Sequence, residues 1–149
     1  DPVALQAAIW FHDVIYNPRA HDNEERSADF AAEQLRSLGL DEAQIERVKD
    51  LILATKHDRP VGGDAALLVD IDLSILGKPA DEFDRYDAAI RQEYSWVAED
   101  AYREGRTQVL QRFLDRPSIY QTEYFRDRYE LPARANLTRA IAKLNQARS

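Results

Sequence analysis

The sequence predicts an all-α fold, and three observations carry that reading. Apolar residues recur every three to four positions in nearly every periodic stretch. No run alternates apolar and polar residues as a half-buried strand would. Capping and stop residues (Asp, Asn, Pro, Gly) fall at the ends of the periodic stretches. The first helix is expected over 3–16, opened by Asp1-Pro2, with Leu5, Ala8, Ile9, Val14 and Ile15 as its apolar positions. Asn17-Pro18 turns the chain. Asp22 is expected to cap the second helix in a capping box with Glu25, and Ala28, Ala31, Leu35 and Leu38 form its inner stripe up to Gly39.

Asp41 with Gln44 opens the third helix, along which Ile45, Val48, Ile52 and Thr55 keep the spacing. His57 to Gly63 reads as a loop. Asp64 then caps a short apolar helix running through Leu76 and stopped by Gly77. The clearest helix spans 79–103, with Phe83, Tyr86, Ile90, Tyr94, Val97 and Ala101 on one face. Further helices fit 106–115, 117–129 and 132–147. There is no internal repeat and no Gly- or Ser-rich linker, so 1–149 reads as a single all-α domain, with the residues after about 104 as a C-terminal helical layer.

Composition narrows the function. The 149 residues carry 20 basic against 27 acidic side chains, a net charge of −7, which disfavours a nucleic acid polymer as main partner. Zero cysteines exclude a disulfide framework, a thiol nucleophile and a cysteine-ligated cluster. No window has the apolar length of a membrane span and no signal peptide is visible, so a cytoplasmic protein is expected.

Chemistry is sought first at the three histidines, each followed by aspartate. His12-Asp13 lies in the apolar run from Ile9 to Tyr16. An ionised carboxylate buried there needs a compensating charge, and an imidazole beside a carboxylate makes a mixed N/O ligand set for a divalent metal. The competing reading is a core histidine bonded to backbone, with Asp13 paired to Arg19 or Arg26. His21 sits in a polar run and is expected to be solvent-exposed. His57 closes an amphipathic helix, where a histidine can also simply face the helix dipole. Two carboxylates, Asp70 and Asp72, interrupt the apolar run from Ala65 to Leu76. Residues two apart on a helix point about 200° away from each other, so only one of the pair can serve a given site.

Taken together, Phe11-His12-Asp13, the later His57 and an Asp-x-Asp-Leu in an apolar helix resemble the HD superfamily of metal-dependent phosphohydrolases. The strings FHDVIY, DNEERSA, ATKHD, DIDLSILG, IRQEY, GRTQVLQRFL and IYQTEYF are similar to a bacterial branch of predicted metal-dependent HD phosphohydrolases, over most of the chain. The resemblance implies an HD-domain-like helical bundle with additional C-terminal helices. It implies His12, Asp13 and Asp72 as ligands of a divalent ion (Mn, Fe, Co, Ni, Mg or Zn). It places His57 where members hold a second metal or touch the substrate phosphate, and Glu24 or Glu25 where some members handle water or protons. Lys56, His57 or Arg19 would neutralise the phosphoryl oxygens of a nucleotide or small phosphorylated metabolite. Because the chain is acidic, the substrate pocket is expected to be a local basic spot.

The chain departs from the pattern in one respect. The family's first ligand histidine lies upstream of His-Asp, and none of the eleven residues before His12 is histidine. With no methionine in the chain, an upstream helix is expected to be missing from this sequence, and the metal site to be weakly occupied until that helix is supplied. The rival functions are a non-catalytic nucleotide-binding protein with the same fold, and a di-iron oxygenase, which would need more histidines. A tyrosine-rich C-terminal half leaves a homodimer face or an ordinary core as alternatives for those rings.

Overall fold

A computed structural model of the chain describes residues 1–146. Among these residues it is helical throughout, without a strand: α1 Pro2–Phe11, α2 Asn23–Ser37, α3 Glu42–Ala54, α4 Gly63–Asp72, a 3-10 segment Leu73–Gly77, α5 Ala80–Glu93, α6 Glu99–Leu114 and α7 Glu123–Gln146. Two compact units make up the chain, Asp1–Asp72 and Leu73–Ser149.

In the first unit α1 and α2 pack on α3, and α4 packs on α1 and α3. Ile45, Val48 and Ile52 of α3 are wholly buried against Ala4 and Ala8 of α1, Ala28 and Ala31 of α2, and Leu68 of α4. The small alanine side chains at the facing surfaces of α1 and α2 let both helices approach α3 closely. The α3 start has the capping box expected of Asp41 and Gln44. Gly39, at φ 86°, ends α2 in the left-handed conformation, and Leu40 N–H returns to Leu35 O at 3.1 Å. Leu38 lies outside the stripe, 74% exposed.

Two further expectations for this unit fail. The first helix stops at Phe11 rather than 16, so His12 is its C-cap and Asp13 lies beyond it. Asp22 precedes α2 without a side-chain cap bond, at φ −124° and ψ 25°, outside the extended conformation of a capping residue, and Glu25, its expected capping-box partner, pairs with Lys56.

In the second unit, Phe83, Leu110, Ile119, Tyr120, Ala133 and Leu137 form the core. The Tyr120 hydroxyl donates to Leu73 O, and the Asn136 amide donates to the carbonyls of Leu76 and Lys78, each at 2.9 Å. Gly77 stands where a Cβ would meet Tyr129 at 2.8 Å, so this turn needs glycine for closeness of approach. The helix expected over 79–103 is interrupted between Glu93 and Glu99. Arg91 satisfies the carbonyls of the break, donating to Tyr94 O and Val97 O while pairing with Glu99. The helices expected over 117–129 and 132–147 are one helix, α7, with Pro132 inside it. Pro132 is exposed, so water can take the carbonyl that its missing N–H leaves. Of the tyrosines, Tyr102 and Tyr120 are core residues, whereas Tyr124 is 55% exposed.

Candidate metal centre

The first unit brings together residues from three places in its sequence. His12 caps α1 with its Nδ1–H donating to Ile9 O at 2.9 Å, which fixes the ring and turns Nε2 outward. Asp72 is the last residue of α4. Its Oδ1 lies 3.4 Å from His12 Nε2, and its Oδ2 accepts from His57 Nε2–H at 2.6 Å. Asp13 Oδ1 lies 3.7 Å from His12 Nε2. The ring is thus bonded to backbone, and its other nitrogen faces two carboxylates.

His57 reaches Asp72 by an unusual route. It follows the end of α3 with φ 56°, a left-handed conformation that a histidine adopts only where its surroundings compensate. The reversal turns the ring back to Asp72, making His57 a residue that orients this carboxylate. The Asp72 hydrogen bond, strengthened by the Asp13 charge and outweighing burial, raises His12 to about 9. Burial works to raise Asp72, but the hydrogen bonds from His12 and His57 outweigh it and hold the carboxyl at about 2.

A cleft of about 180 Å³ opens on this group, lined by His12, Asp13, Ile15, Tyr16, Asn23, Glu24, Thr55 and Asp72. Its lining holds three carboxylates and a single histidine, with no Lys or Arg. That overturns the expected basic spot. Lys56 is tied to Glu25, and Arg19 is exposed and outside the lining. Glu24, not Glu25, faces the cleft. Asp13 is also not buried: its side chain is 67% exposed, so solvent removes most of the cost of its charge without an arginine. His21 is exposed. Asp70 and Asp72 part company: Asp70 is fully buried, while Asp72 meets the two histidines.

The donors can be tested against a divalent ion. Two ligand atoms held at about 2.0–2.1 Å with octahedral or tetrahedral angles lie roughly 3.0–3.4 Å apart. The His12 Nε2 to Asp72 Oδ1 distance meets that, and the 3.7 Å to Asp13 Oδ1 exceeds it by a few tenths. The His57 to Asp72 contact is too short to span an ion and is a hydrogen bond. Among the described residues no three acidic or histidine side chains already surround one point as ligands. The fit is pairwise, between His12 and Asp72, with Asp13 exposed and 3.7 Å from the same nitrogen. The donor chemistry, one imidazole nitrogen with carboxylate oxygens, also suits a divalent transition ion.

If His57 orients Asp72, then His57→Asn, which tolerates the left-handed backbone but lacks the ring, is expected to weaken manganese binding about 10–100-fold with little change in melting temperature. Calorimetric titration and a thermal melt read the two effects separately. Unchanged affinity would remove the orienting role.

Sequence reasoning missed Tyr16, Asn23 and Thr55 in the lining, and Ser27 behind it. Ser27 was detectable: it falls on the α2 stripe that continues through Ala31 and Leu35, and a hydroxyl there needs a partner. No protein-family model, no curated protein and no solved structure matches the chain.

Proposed function

We propose that this chain is a metal-dependent phosphohydrolase of the HD type, acting on a nucleotide or another small phosphorylated molecule. One observation carries the reading: a cleft without Lys or Arg, lined by Asp13, Glu24 and Asp72 around His12 Nε2, favours a cation over a bare anion. A phosphate would enter such a cleft only behind a divalent ion. His12, Asp72 and Asp13 would hold that ion, whose Lewis acidity makes water a stronger acid and stabilises charge on phosphoryl oxygens.

The chain's own residues supply the rest. His57 holds Asp72 in one orientation through the 2.6 Å bond. Glu24 lines the cleft and is the carboxylate placed to take the proton as water attacks phosphorus. Lys56, paired with Glu25, keeps the start of α2 against the loop that carries His57. A shallower groove shares His12 and Asp13 with the cleft and is walled by Ile9, Trp10 and Val14, with Trp10 82% exposed. A flat apolar group such as a nucleobase suits that wall, which favours nucleotides within the substrate class.

The experiment is phosphate release from a nucleotide panel and from small sugar phosphates, with manganese, cobalt, nickel, magnesium and zinc supplied separately. Release is expected only with a divalent ion, and is expected to be lost in Glu24→Gln although metal binding persists. Metal-independent release, or a metal-loaded chain inert on every phosphoester, contradicts the reading; inert but nucleotide-binding protein would make it a non-catalytic binder.

A further inference from the structure

We infer that Asn23 and Ser27 are positioning residues of the candidate metal centre, gripping the backbone of Asn17 and Ile15 from successive turns of α2 and so setting where His12 and Asp13 stand. The inference rests on the reading of His12 and Asp13 as ligands. Between α1 and α2 the chain forms no helix or strand, and its backbone donors and acceptors must find partners elsewhere. Ser27 is fully buried; its hydroxyl accepts from Ile15 N–H at 3.1 Å and donates to Ile15 O at 3.2 Å. The Asn23 amide does the same one turn earlier, accepting from Asn17 N–H at 3.0 Å and donating to Asn17 O at 2.9 Å.

The two grips match because their repeats match. Residues four apart on a helix rise about 6 Å, and alternate residues of an extended chain advance about 6.6 Å. A helix face bearing Asn and Ser four apart can therefore satisfy both backbone groups of every second residue in a chain laid along it. On the other side, His12 N–H is fixed to Ala8 O at 2.9 Å and Val14 N–H to Phe11 O at 3.2 Å. The ligand pair is thus held from both ends: α1 secures it before Asp13, and Ser27 secures it at Ile15, two residues beyond. Tyr16, between the gripped residues, is carried into the cleft lining with Ile15. The DNEERSA string contains both gripping residues, which gives that motif a physical task that capping does not.

The test uses Asn23→Ala, Ser27→Ala and Ser27→Thr in the intact chain. Asn23→Ala loses both bonds to Asn17, adds no charge to the cleft that Asn23 lines, and puts a good helix former at the start of α2. That variant keeps the test decisive even if Ser27→Ala folds poorly. Cobalt binding is followed by its visible absorption, and amide hydrogen exchange is read at Ile15 and Asn17. Asn23→Ala and Ser27→Ala are expected to weaken cobalt binding about tenfold or more and to alter the cobalt spectrum, with faster exchange at the amide that each releases, Asn17 and Ile15 respectively, and unchanged exchange in α3. Ser27→Thr, which keeps the hydroxyl, is expected to retain wild-type affinity. Cobalt affinity within about twofold of wild type in both disruptive variants overturns the inference, even if the amides exchange faster. So does unchanged exchange at Ile15 and Asn17. A wild-type chain that binds no cobalt sinks the metal reading itself, and this failure is distinguishable because it precedes any substitution.

Discussion

Replacing Asp72 by Ala is expected to lower manganese affinity by more than about 100-fold while leaving a folded protein. Asp72 pairs with both His12 and His57, and it stands at the end of α4, about a third exposed, where an alanine is easily accommodated. Asp70→Ala is expected to do the reverse. Asp70 is fully buried and makes an interaction there, so its loss leaves a cavity and breaks that interaction. A stability loss of about 2–4 kcal/mol follows, with metal affinity far less affected. Thermal melts and manganese titrations on the two variants check both halves. Equal loss of metal in the two would contradict the separation of the carboxylates by helix geometry.

The second large effect is on pH. Without metal, His12 Nε2 carries a proton shared toward Asp72, and the ring titrates at about 9. An ion needs the unprotonated nitrogen, so metal and proton compete for one lone pair. Asp72, held at about 2, stays ionised and contributes nothing to the pH dependence near neutrality. Affinity for manganese is therefore expected to rise about tenfold per pH unit below about 9, which is roughly 100-fold between pH 6 and pH 8. Binding should release close to one proton at pH 7, measurable as a difference in apparent enthalpy between buffers of different ionisation heat. A flat affinity across that range would mean that His12 is not a ligand.

Much of this was legible in the sequence, and the failures have physical causes. The α3 stripe of Ile45, Val48 and Ile52 and its Asp41–Gln44 box are local signals, and both are realised. The divergence of Asp70 from Asp72 follows from helix geometry alone. The interruption at 94–98 was not legible, since no Gly or Pro marks it and the carbonyls are held by Arg91. Pro132 misled in the opposite direction, because an exposed helix face tolerates a proline that a buried one would not. At the site, Lys56 looked available for a phosphate because its partner Glu25 is 31 residues away. The left-handed backbone of His57 left no mark either, as local pattern assigns that conformation to Gly or Asn. Asp13 was taken as buried from its apolar neighbours, but α1 ends at Phe11 rather than 16 and leaves it in solvent.

The most direct test of a metal centre built on His12, Asp13 and Asp72 is a manganese titration of isotopically labelled protein, read as paramagnetic line broadening residue by residue. Broadening is expected to centre on His12, Asp13 and Asp72, to extend to Tyr16, Asn23 and Glu24 around the cleft, and to vanish from that region in Asp72→Ala. Broadening spread over the other acidic surfaces, or centred on the cleft but unchanged in Asp72→Ala, would contradict it.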